Sequence, residues 1–453
     1  NYKKRYYLTL TGRYDGSSNF AANHKWGFFP SAAVKWSISN EYFMRRVRWI
    51  EELSLRVSAG RTGNDAIKPY RSIEAYTSTS GGYLLGGTQS TAFYPTRVAS
   101  DNLTWETTDL YNAAIDASLF KKRLNITFEG YISKTRDLLL SVQKAAQSGF
   151  PSHFENIGRT SNKGLELTVE TRNIVKPKFS WSTSLTLSHN KQMVEDIGSE
   201  DFVSAMNSPG NSQYMMYGYV KGRPLNALWG FKYGGVWHNQ EEIERNKVTN
   251  TYVSATTSVS PGLPRYVDTN NDGVINDDDK TFAGSYTPKN TFSFGGSLNW
   301  KGFDFSFFFQ GVTGNKVYNG LKQMAMNGRN DYGNLISDVY NSWDFNPQGS
   351  KYPRLGLVTG SDTNGNYSKF SDIFLEDGDY LRLKNITLGY TLPKSVSRFV
   401  GMENGSLRVY ISVDNVCTIT GYSGVDPEVG NYGIDRGVYP VSRFFNFGVN
   451  INF

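Results

Sequence analysis

The chain has 453 residues, 15% of them aromatic, and a mean hydropathy of −0.47. No stretch approaches the roughly 18 to 20 apolar residues of a membrane-spanning helix, which excludes a helical membrane protein. The net charge of +7 comes from Lys and Arg scattered along the sequence rather than gathered into basic runs, so nucleic acid is not an expected partner.

From its first residues the chain alternates. Tyr6, Leu8, Leu10 and Tyr14 fall on one parity and Tyr7, Thr9, Thr11 and Arg13 on the other, and a period of two sends successive side chains to opposite faces of a sheet. The same pattern sets Leu53, Leu55, Val57 and Ala59 against Ser54, Arg56 and Ser58, and Leu165, Leu167 and Val169 against Glu166, Thr168 and Glu170. Between 179 and 189 one parity is almost wholly Ser and Thr. Phe292 and Phe294, then Phe303, Phe305, Phe307 and Phe309, carry the pattern on, as do Leu407, Val409, Ile411 and Val413. Phe445, Phe447, Val449, Ile451 and Phe453 end it. Candidate strands lie at 6–14, 30–39, 53–62, 109–119, 123–136, 162–172, 178–191, 213–221, 227–237, 290–300, 302–311, 380–392, 406–416 and 443–453, in all roughly 13 to 15.

The strand length and the nature of the polar parity decide which solvent the apolar parity meets. Strands of soluble sandwiches run about five to six residues, whereas barrel strands cross the hydrocarbon in about 9 to 11 with apolar side chains to lipid and polar ones to the lumen. The long strands and the Ser- and Thr-rich parity therefore predict an all-β fold, a transmembrane antiparallel β-barrel in an outer membrane. Tyr and Trp then collect at the membrane interfaces. The basic residues are assigned to loops and lumen, in part facing anionic outer-leaflet lipid. Cys417, the lone cysteine, is expected as a packed or lipid-facing thiol. Since an open edge is not viable in lipid, the rest of the barrel is expected N-terminal to Asn1. A soluble, aromatic-rich glycan-binding β protein is the competing reading.

The connections 63–108, 192–212, 238–289, 312–379 and 417–442 are rich in Gly, Asn, Ser, Asp and Pro. They are expected outside the cell, where binding residues of such barrels sit. Among them Asp268, Asn270, Asp272, Val274, Asn276 and Asp279 stand at positions 1, 3, 5, 7, 9 and 12 of a calcium loop, with Gly273 at position 6. Asp279 replaces the usual Glu, and the competing reading is an acidic Asx-turn without metal. A bound Ca²⁺ would rigidify the loop. His24, His153, His189 and His238 form no metal or catalytic motif, and no nucleophile elbow or phosphate loop is present, so no enzymatic activity is expected. Trp229, Trp237, Tyr332 and Trp343 suit either sugar stacking or a loop core.

Several blocks resemble one family: RYDGSSNF at 13–20, KWGFFPSAAVKWSISNEYF at 25–43, LSLRVSAGRTGN at 53–64, NIGRTSNKGLEL at 156–167, DTNNDGVINDDDK at 268–280 and DYLRLKNITLGYTLP at 379–393, with the strand ending in Phe453. They are similar to the barrel of SusC/RagA TonB-dependent outer-membrane transporters. The resemblance implies a barrel of about 22 strands, an N-terminal plug, a segment contacting the TonB complex and a SusD-like surface lipoprotein as lid. It also implies import of glycans or oligopeptides. Neither plug nor TonB segment lies within these 453 residues, so the chain reads as the C-terminal part of such a barrel, with a passive porin or adhesin as the alternative. The terminal Phe453 is expected to signal outer-membrane assembly.

Overall fold

The computed structural model describes residues 1–143, 147, 152–198, 202–204, 216–246, 249–250, 260–326, 334–355, 370–399 and 405–452. It divides into two compact units. The first comprises Asn1–Val175, Ser180–Val203 and Val220–Pro224, and the second the remainder.

In the first unit seven long strands stand in sequence order: β1 (Tyr6–Gly16), β2 (Trp26–Ser37), β3 (Ile50–Asn64), β4 (Glu106–Leu119), β5 (Leu124–Arg136), β6 (Arg159–Lys176) and β7 (Phe179–Asp196). Register partners share a face, so the alternation in each strand becomes a continuous row across the sheet. One row reads Tyr6, Trp36, Leu55, Ile115, Phe128 and Leu167, and the next Leu8, Val34, Val57, Ala113, Gly130 and Leu165. Leu8, Val34, Val57, Ile115, Phe128 and Leu165 are all exposed. Stacked aromatic pairs flank this apolar band, Tyr14 with Trp26 at one end and Trp49 with Phe120 at the other, with centroids 5.2 Å and 5.7 Å apart. An outward apolar band between two aromatic girdles is the surface of a membrane barrel.

The second unit repeats this design with β8 (Asn290–Trp300), β9 (Phe303–Thr313), β10 (Tyr380–Thr391), β11 (Ser406–Thr420) and β12 (Phe444–Asn452). Leu298, Phe305, Leu388, Ile411 and Phe447 form one apolar row, while Ser297, Ser306, Thr387, Ser412 and Asn446 form the polar row beside it. Cys417 is exposed. Phe453 lies outside the described residues.

Twelve of the fourteen candidate strands are these long strands. The other two, 213–221 and 227–237, hold among the described residues only the short pieces Met216–Val220, Ala227–Gly230 and Tyr233–Val236, in small separate sheets. Ala227 and Leu228, adjacent in sequence, are both fully buried, so that piece is covered on both sides and presents no lipid face. The connection 63–108 also departs from expectation, since Ala75–Leu85 and Thr88–Arg97 pair as a hairpin. Gly86 and Gly87 are its turn, with φ of 56° and 83°, values that the favoured two-residue turn demands and a side chain resists.

Buried apolar clusters lie under the connections. Phe20, Phe29, Ile67, Leu103 and Trp105 form one in the first unit. Leu228, Tyr318, Met326, Val339, Tyr352, Phe370, Phe374 and Ile434 form another in the second.

Candidate functional site

The polar parity, the lumen side of each sheet, is cross-linked by ion pairs. In the first unit Arg56 Nε and Nη2 donate to Asp116 at 2.7 and 3.2 Å, and Asp116 also accepts from Ser54 and Thr127 at 3.3 and 3.2 Å. Glu129 lies 3.7 Å from Arg56. Near the far end of the same strands, and on the parity of Val57, Ala113 and Gly130, Asp109 is held by Arg61 at 2.7 Å and by Arg136. In the second unit Arg408 forks onto Asp304 at 2.8 and 2.5 Å. This pair reaches across Gly389, where a Cβ would sit 2.5 Å from both Arg408 Nη2 and Asp304 Oδ1. The half-exposed groups add little stability singly. Together they fix a hydrophilic, charged wall.

Beyond the strands of the second unit a polar network ties the connection 421–441 down. Arg382, 2% exposed, donates to Thr418 at 2.8 Å, Glu428 at 2.7 Å and Asp426 at 2.5 Å, with its guanidinium over the Tyr380 ring. Burial pushes the Asp426 carboxyl up, but the Glu428 amide and the Arg382 guanidinium outweigh it and hold its pKa below the ordinary value. Tyr422 donates to buried Asp435 at 2.7 Å, and burial followed by that bond pushes the phenol far above its usual pKa. Asn319, Glu376 and Ser423 close the same connection with bonds of 2.7 to 3.1 Å. Sequence reading missed this network because its partners lie some 40 residues apart and Arg382 occupies an ordinary strand position.

The loop 268–279 spends its oxygens on its own backbone. Asp268 accepts the amides of Asn271 and Gly273 at 2.7 and 2.9 Å, and Asp272 accepts that of Val274 at 2.8 Å. Asn276 accepts the amide of Asp278 at 2.6 Å. Asp279, fully buried, accepts those of Thr269 and Asn276 at 2.7 and 2.8 Å. Ile275 is buried with Phe231 and Tyr266 and anchors the loop to that cluster. Among the described residues no three His, Cys, Asp or Glu side chains converge as metal ligands. In this geometry the Asp and Asn side chains of the loop accept backbone amides in Asx-type turns.

Of the four aromatic candidates, Trp237 is buried against Leu263 with Arg265 over its ring. Trp343 donates to the His238 carbonyl at 3.3 Å, and Trp229 sits in the short sheet opposite Met216 and Phe282. Trp237 is thus a loop-core residue, Trp229 and Trp343 are half-buried, and Tyr332 lies outside the described residues.

Long antiparallel strands with a lipid-facing apolar band, a charged inner wall and long connections define an outer-membrane β-barrel protein. The chain belongs to the TonB dependent receptor-like β-barrel family, whose model matches residues 1–416. TonB-dependent receptor P26 of Formosa agariphila is 36% identical over 477 residues, covering 100% of this chain and 45% of the relative. TonB-dependent receptor SusC of Bacteroides thetaiotaomicron is 29% identical over 464 residues, covering 99% and 42%. Among solved structures, the RagAB peptide importer in an open state gives a TM-score of 0.77 at 24% identity, covering 99% of this chain and 45% of that one. The chain thus spans less than half the length of these proteins.

Proposed function

We propose that this chain supplies the C-terminal strands and outer loops of an active importer that brings oligosaccharides or oligopeptides across the outer membrane. A TonB complex acting through a plug would supply the energy, and a SusD-like surface lipoprotein would cover the long connections. The observation that carries this reading is the charged lumen wall, with Arg56, Asp116, Asp304 and Arg408 on the polar parity, in a chain so similar to SusC. A wall of fixed charges and hydroxyls suits hydrated, polar cargo. The test is uptake of defined oligosaccharides and oligopeptides by cells with and without the gene, each with TonB intact or deleted. Uptake that needs both supports import. Uptake that persists without TonB, with swelling of liposomes holding the purified protein, makes it a passive barrel.

The calcium reading of 268–279 rests on the ligand spacing, with Asp268, Asn270, Asp272, Asn276 and Asp279 as side-chain ligands and Val274 as the carbonyl ligand. Binding would require the carboxylates to exchange amide bonds for the cation, which Ca²⁺ titration followed by hydrogen exchange over the loop tests directly.

A further inference from the structure

Charge that looks scattered in sequence is concentrated by the topology of the first unit. The segments 1–5, 38–49 and 120–123 precede β1, join β2 to β3 and join β4 to β5, and so stand at one end of the sheet. They hold nine basic residues, Lys3 to Arg5, Arg45, Arg46, Arg48 and Lys121 to Arg123, against one acid, Glu41. This short-turn end therefore carries +8, against +7 for the whole chain. Counting Glu51 and Glu52, which open β3, still leaves +6. The opposite end, with connections 17–25, 65–105 and 137–158, holds five basic and five acidic residues and sums to zero. Short turns mark the periplasmic end of such barrels, so the basic excess of this unit gathers on that side.

Most basic residues of this rim lie at the surface. Lys3, Lys4, Arg45, Arg46, Arg48 and the 121–123 turn are exposed, and among the described residues only Arg5 is in an ion pair, with Glu41 at 3.2 Å. Glu51, the nearest acid to the 120–123 turn, is occupied by the Lys121 and Lys122 amides. Interleaved with the charges are exposed aromatics: Tyr2, Tyr42, Phe43 and the stacked pair Trp49 and Phe120. Aromatic rings settle at headgroup depth, which places the cations at the level of lipid phosphates.

We propose that this rim binds anionic glycerophospholipid of the periplasmic leaflet, anchoring the barrel through headgroup phosphates. Binding rests on cations at phosphate depth, each worth about fivefold in affinity. The proposal does not depend on which cargo crosses the lumen.

The test is native mass spectrometry of the full-length protein in neutral detergent, given equal amounts of phosphatidylglycerol and phosphatidylethanolamine with matched chains. Phosphatidylglycerol adducts should predominate at least tenfold. The variant R45Q/R46Q/K121Q/K122Q should lose that preference, whereas K25Q/K68Q, at the opposite end, should keep it. If the fourfold variant fails to fold, K3Q/K4Q, ahead of the first strand, should lower the preference severalfold. Equal adducts of the two lipids in the native protein would overturn the proposal, as would a preference that survives the rim substitutions. Displacement of phosphatidylglycerol by an equal charge of polyglutamate would assign the rim to an acidic polypeptide instead.

Discussion

Replacing Val57 with Arg tests the lipid-facing assignment most sharply. Val57 is seven residues from either end of β3, which at about 3.4 Å per residue and a tilt near 40° places it about 18 Å from each end, close to the bilayer midplane. It is 49% exposed, between Val34 and Ala113 in its row. An Arg on the lipid side at that depth costs about 2–4 kcal/mol, a factor of roughly 30 to 1,000 in the folding equilibrium. The chain already carries Arg56 one residue away on the other face, bound to Asp116, so the cost belongs to the face and not to the strand. Ser58→Arg, on that polar face, should stay within about 1 kcal/mol. Urea-dependent refolding into phospholipid vesicles, read by heat-modifiable gel mobility, measures both. If V57R folds as stably as the native chain, or V57R and S58R cost the same, the apolar face does not meet lipid, because a water-exposed Val tolerates Arg freely.

Four further outcomes follow from the same geometry. Gly389→Ala should prise Arg408 from Asp304; the pair is about a quarter exposed, so the loss should be near 1 kcal/mol, and it should vanish in a D304S/R408S background if the ion pair is its cause. Arg382→Leu leaves Asp426 without its cation and Glu428 with only Lys384 at 3.4 Å, and removing one partner of a buried pair costs about 3–5 kcal/mol. Because Glu428 is 42% exposed, the lower end is expected, read as protease sensitivity confined to 421–441. The depressed Asp426 carboxyl contributes stability above its unfolded value near pH 3.9 and loses it as pH falls through the lower folded value. Hydrogen exchange over 421–441 should therefore rise only below about pH 4, and Asp426→Asn should abolish that acid dependence. For the calcium loop, millimolar Ca²⁺ should slow exchange over 268–280 in the native protein and leave Asp268→Ala/Asp272→Ala unchanged; no slowing in the native protein would leave the loop closed by its amide bonds alone.

What the sequence determined by itself was the strand. A period of two is local, so Phe445 to Ile451, or Leu53 to Ala59, declare two unlike faces without knowledge of any neighbour, and the Ser and Thr on the second face declare that it is no soluble core. The family blocks were equally legible, because they are short and contiguous. Tertiary structure decided whatever depends on which residues meet. Register turned separate alternations into rows, brought Asp304 to Arg408 across a glycine, and buried Arg382 beside acids more than 40 residues away. It showed that Ala227 and Leu228 are covered on both faces, which their apolar run could not reveal. It also collected Lys3 to Arg5, Arg45 to Arg48 and Lys121 to Arg123 at one rim. Their spacing hides this because antiparallel strands return the chain to the same end only after two crossings.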